Sequence, residues 1–124
     1  MDFEAKIAEL GLLIPKPAKP AGSYKPCVIV DNIAYISGQG PLLEDGSFAK
    51  GKVGADIDLE TAQNHARLCG LAILSALKNE IGSINKVDQL IKLTGFVNCI
   101  ESFTQQPLVI NGCSNMMKDI FGET

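Results

Sequence analysis

The sequence predicts an α+β protein in which helices cover one face of a mostly antiparallel sheet. Three observations lead there: β-rich runs flanking a two-residue turn within 27–37, an apolar stripe at three- and four-residue steps through 59–80, and a period-two alternation through 87–99. With 124 residues the chain suits one domain spanning 1–124, long enough to bury a core.

The elements follow in order. Phe3, Ile7 and Leu10 share one helical face, with Asp2 placed to cap that short helix and Gly11 to stop it. The segment Ile14-Pro-Lys-Pro-Ala-Lys-Pro20 fixes φ at each proline and lacks amide donors there, so the region within 1–22 reads as a helix plus a proline-rich connector. Cys27-Val-Ile-Val30 and Ile33-Ala-Tyr-Ile-Ser37 make a hairpin around Asp31-Asn32, two residues that tolerate positive φ. Gly38-Gln-Gly-Pro41 breaks the second strand, and Gly51-Lys-Val-Gly54 is a short extended piece.

Asp58 caps a helix from about Leu59 to Glu80, with Gly82 beyond its end. Leu59, Ala62, Ala66, Cys69, Ile73 and Ala76 form its stripe, widened by Leu68, Leu71 and Leu74, so it packs on more than one surface. In the next segment Ile91, Leu93, Gly95 and Val97 lie on one side and Lys92, Thr94 and Asn98 on the other, which predicts a strand covered on one face. A last helix, capped by Ser102 or Thr104 and with Pro107 in its first turn, buries Val109, Cys113, Met116 and Ile120. A sheet this small is incomplete and invites strands from another subunit.

Composition narrows function. Fourteen acidic against eleven basic residues give a net charge of −3, and Arg67 is the sole arginine, so a nucleic-acid partner is not expected. No apolar run approaches the roughly 18 residues of a membrane span, and the first ten residues lack signal-peptide character, so a cytoplasmic protein is expected. Cys27, Cys69, Cys99 and Cys113 are scattered and read as small buried hydrophobes; no zinc-type spacing occurs, and Asp45, Asp56 and Asp58 match no calcium loop.

Pattern alone yields no active site. His65 reads as a rim histidine without a placed carboxylate partner. Arg67 could grip a carboxylate bidentately, yet its position reads as a solvated helix residue. Ser37-Gly-Gln-Gly40 follows a strand but satisfies neither a phosphate-binding fingerprint nor a nucleophile elbow. The Tyr24 hydroxyl serves a pocket or the structure, and Asn111 and Asn115, one helical turn apart, bind a ligand or face solvent.

Taken in order, Ser23-Tyr24, Tyr35-Ile-Ser-Gly-Gln-Gly-Pro41, Asp45-Gly46, Gly51-Lys-Val-Gly54 with Asp56, Gly82-Ser-Ile-Asn-Lys-Val-Asp88, Leu93-Thr-Gly-Phe-Val97, Asn111-Gly-Cys-Ser-Asn115 and the Phe121-Gly-Glu123 ending resemble the Rid/YjgF family. The resemblance runs from about residue 3 onward. It implies a chorismate-mutase-like fold with two long helices on one face of the sheet, assembled as a homotrimer with pockets between subunits. It also implies enamine/imine deaminase chemistry, hydrolysing 2-aminoacrylate-like intermediates to a 2-keto acid and ammonia, without metal or cofactor. The ligand expected at such a pocket is a small carboxylate-bearing molecule.

Carried over residue by residue, the resemblance makes Tyr24, Ser37 and Gly38 pocket residues and puts the family's helix asparagine at Asn111 or Asn115. It assigns no catalytic residue. The family's carboxylate-binding arginine, two further strands and a late acidic residue lie beyond the point where this chain stops, Thr124, so the chain reads as a shortened form. Arg67 does not hold the matching position, and no lysine reproduces a guanidinium fork. A ligand-binding or regulatory member without catalysis is therefore the alternative expectation, and an endoribonuclease or translation inhibitor the third.

Overall fold

The computed structural model describes residues 2–20 and 22–122; position 21 of the connector and Glu123 of the Phe-Gly-Glu ending lie outside them. Its elements are α1 (Phe3–Glu9), β1 (Cys27–Val30), β2 (Ile33–Ile36), α2 (Leu59–Ile81), a 3-10 turn (Ile84–Lys86) and α3 (Gln106–Phe121).

The short helix α1 forms because both ends and one face are held. Asp2 accepts from the Ala5 amide at 2.9 Å, Gly11 takes the positive φ that ends the helix, and Phe3 and Ile7 are buried. The Phe3 ring meets Phe121 edge-on with centroids 4.9 Å apart. Glu4 then ties α1 to the end of α2: its carboxylate accepts from Lys78 Nζ at 2.9 Å and from the Ile84 amide at 2.9 Å. These contacts supply the docking surface that a seven-residue helix needs.

The hairpin pairs Cys27 with Ile36, Val28 with Tyr35, Ile29 with Ala34 and Val30 with Ile33. Asp31 and Asn32 have φ of 50° and 64°, the mirror-image turn that matches strand twist. Cys27 and Ile36 pack into the core, so Val28, Tyr35, Val30 and Ile33 fall on the opposite face, all exposed.

Helix α2 is capped as its sequence predicts, with the Thr61 amide donating to Asp58 at 2.8 Å and Gly82 closing the end. It packs against both strands and α3, burying Ala62, Ala66, Leu71, Leu74 and Ala76 of its broad stripe, while Leu59, Leu68, Cys69 and Ile73 are partly buried. Ser75 donates to the Pro15 carbonyl at 2.6 Å and fastens the connector along it. Helix α3 runs in the same direction as α2. Gly112 lies against Gln63 near the starts of the two helices, and Gly70 against Cys113, Met116 and Met117 further along. A Cβ on Gly112 would overlap the Gln63 carbonyl, so only glycine permits this approach.

Two expectations change. The stretch 87–98 forms no strand: only Cys99 makes a bridge, to Val53, which donates to the Asn98 carbonyl at 3.0 Å and accepts from Ile100 at 3.0 Å. The alternation records which side chains face the helices, Leu93 and Val97 being partly buried, whereas a strand also needs a neighbouring ladder, and none lies beside it among the described residues. Helix α3 starts later than a Ser102 or Thr104 cap implies. The chain turns at Glu101-Ser102, and Gln106 reaches back to the Phe103 carbonyl at 2.8 Å, so Gln105 takes the cap position without a side-chain bond.

Candidate functional site

The first candidate region is the end of β2. The Ser37 amide donates to the Pro26 carbonyl at 2.9 Å, which extends the hairpin by one step and fixes the start of the loop. Gln39 Nε2 folds back toward Ser37, 3.4 Å from its carbonyl and 3.5 Å from Oγ. A Cβ on Gly38 would meet nothing within 4 Å, so the backbone is open there, whereas Gly40 is covered by the Phe48 ring. Tyr24 lies over Gly22 and is 47% exposed, and its hydroxyl makes no hydrogen bond among the described residues. This region therefore offers hydroxyls and backbone amides to a ligand, with no acid–base pair joined by a hydrogen bond.

The second region is a groove of about 300 Å³ between α2 and α3. Asn111 and Asn115 line it from α3, opposite Gln63 and Arg67 from α2. Tyr24, Ser37 and Gly38 do not line this groove, so within one chain the five sequence-predicted ligand residues divide into two sets. Arg67 corrects the solvated reading: it is half-buried and forms part of the groove wall. Gln63 and Asp119 also line it, and neither was singled out by pattern. The signal was present as four-residue steps, Gln63 to Arg67 and Asn111 to Asn115 to Asp119, but only parallel packing of the helices turns the two stripes toward one another.

The remaining chemistry is quiet. His65 makes no hydrogen bond or ion pair among the described residues. All four cysteines are unpaired; Cys27 and Cys113 are buried, and Cys69 and Cys99 partly so. Burial, with Cys69 nearby, pushes the Cys113 thiol up to about 11, and burial also raises Cys27 and Cys69, so these three are poor nucleophiles. Among the described residues no group of three His, Cys, Asp or Glu side chains is gathered to hold a metal ion, and no helix is long and apolar enough to cross a membrane.

Comparison with known proteins places this fold. The family model described as "YjgF/chorismate_mutase-like, putative endoribonuclease" matches residues 4–124. The Trypanosoma cruzi protein TCP17 is 34% identical over 119 residues, covering 96% of this chain and 74% of its relative. The crystal structure of Atu1372 from Agrobacterium tumefaciens, of unknown function, superposes with a TM-score of 0.85 at 40% identity, over 98% of this chain and 75% of that one. A Shewanella oneidensis structure described as a "putative endoribonuclease" reaches a TM-score of 0.93 at 30% identity, over 98% and 81% of the two chains. With its hairpin, parallel helix pair and glycine-marked strand end matched along almost the whole length, the chain belongs to the YjgF/chorismate-mutase-like family.

Proposed function

We propose that this protein hydrolyses small carboxylate-bearing imines, at a cleft completed by a second copy of the chain. The observation that carries the reading is the β2 end, where the open Gly38 backbone follows an uncovered apolar hairpin face of Val28, Val30, Ile33 and Tyr35, with the unengaged Tyr24 hydroxyl in the segment that leads into β1. That face suits another protomer, and a homotrimer is the assembly this reading adopts. In the reaction, water adds to the C=N carbon of a 2-imino acid, the C–N bond breaks, and a 2-keto acid and ammonia leave. An imine is already activated, so positioning of the water by hydroxyl and amide groups supplies much of the catalysis and no strong base is required. The unpaired cysteines suit a reducing compartment, in keeping with a cytoplasmic protein.

A second reading, a pocket that binds a small acid without turnover, is favoured by the lack of an acid–base pair at the β2 end. The endoribonuclease description of relatives finds less support here, because the chain is acidic and its sole arginine lies in the helix groove. The test adds the protein to a pyridoxal-phosphate-dependent serine dehydratase and follows pyruvate and ammonia from L-serine. Acceleration that falls about tenfold in Tyr24→Phe supports hydrolysis. Saturable binding of 2-oxobutanoate with no acceleration establishes the second reading instead.

A further inference from the structure

Arg67 is the chain's sole arginine, half-buried in the wall of the α2–α3 groove, and it makes no hydrogen bond or ion pair among the described residues. Drawing a guanidinium partly out of water without a partner is unfavourable, so an unengaged one in a concave site is ready for an anion. Its surroundings narrow the anion. Gln63 is occupied, donating to the Leu108 carbonyl at 2.9 Å, whereas the carboxamides of Asn111 and Asn115 are unengaged. Asp119 lines the same groove without forming an ion pair with Arg67. The groove therefore carries a cation and an anion held apart. Leu10, Leu12 and the buried Met116 give it an apolar side.

We propose that this groove binds a small α-amino acid with an apolar side chain. The carboxylate takes the Arg67 fork, Asn111 and Asn115 donate to its remaining lone pairs, the ammonium faces Asp119, and the side chain rests on Leu10, Leu12 and Met116. A volume of about 300 Å³ admits a molecule of that size. Asp119 repels a phosphate dianion while attracting the ammonium of a zwitterion, which sets the ligand class. Within one chain the site is separate from the β2 end, and the binding does not depend on imine hydrolysis.

The test is a titration of the ¹⁵N-labelled full chain with L-leucine, with 4-methylpentanoate (no ammonium) and 3-methylbutylamine (no carboxylate) as the other arms. L-leucine is expected to shift the Arg67 Nε–H and the Asn111 and Asn115 carboxamide signals saturably, and each truncated probe to bind at least about tenfold more weakly. Arg67→Gln is expected to weaken L-leucine about tenfold or more, Arg67→Lys by less, and Asp119→Asn to remove the preference for L-leucine over 4-methylpentanoate. Neither side chain has a partner to lose, so both variants keep native spectra away from the groove. The proposal is overturned if L-leucine gives no saturable shift, if 4-methylpentanoate binds the unmodified protein equally well, or if Arg67→Gln binds L-leucine unchanged.

Discussion

The helix layer and the sheet layer treat their apolar residues in opposite ways. Around α2 and α3, Leu74, Ile84 and Met117 are at or below 2% exposure and the core is continuous from Phe3 to Phe121. In the hairpin and the 87–98 stretch, Val30 is 51%, Ile91 68% and Phe96 94% exposed. The difference separates two tasks. Folding free energy resides in the helices and what they bury, while the sheet side leaves apolar surface and unladdered backbone uncovered among the described residues.

Substitutions can break or sharpen this contrast. Leu74→Ala is expected to destabilise by about 2–5 kcal/mol in urea unfolding, since a 1%-exposed side chain leaves a cavity that rigid helices cannot close. Gly112→Ala should cost about 1–3 kcal/mol through overlap with the Gln63 carbonyl, although alanine would gain up to about 1 kcal/mol in an isolated helix. A net gain in Tm would mean that the helices do not approach there.

Glu4→Gln is expected to cost about 1 kcal/mol at pH 7 by weakening the charge-assisted bonds to Ile84 and Lys78. The Ile84 amide first, then the Lys78 ammonium, hold the Glu4 carboxyl below its ordinary value of 4.5. Because the folded value is the lower one, the stabilisation is complete above 4.5 and is lost as pH falls through the folded value. Unfolding curves of Glu4→Gln and the unmodified chain should therefore converge in acid. The smallest stability effect belongs to Phe96→Ser, within about 0.5 kcal/mol in urea unfolding, because its ring is 94% exposed. A loss above about 1 kcal/mol would place Phe96 inside a core and erase the contrast.

What the sequence disclosed follows the same divide. Local chemistry was readable: Asp58 and Gly82 bracket α2, and Asp31-Asn32 adopts the positive φ its residue types allow. Capping and turns are decided within a few residues, so one chain's order suffices. The 87–98 stretch was misread because alternation reports facing, and a strand depends on a neighbour that sequence order does not specify. The same limit applies to the sites. Tyr24, Ser37 and Gly38 came from resemblance, and the groove around Arg67 emerges only when Gly112 brings α3 onto α2.

Because α2 and α3 run in the same direction, their peptide dipoles add rather than cancel, and the partial negative charges at both C-terminal ends share one side of the molecule. Each final turn carries one lysine and one carboxylate, Lys78 with Glu80 and Lys118 with Asp119, and Lys78 is paired with Glu4, so the side chains bring no net positive charge to offset that end.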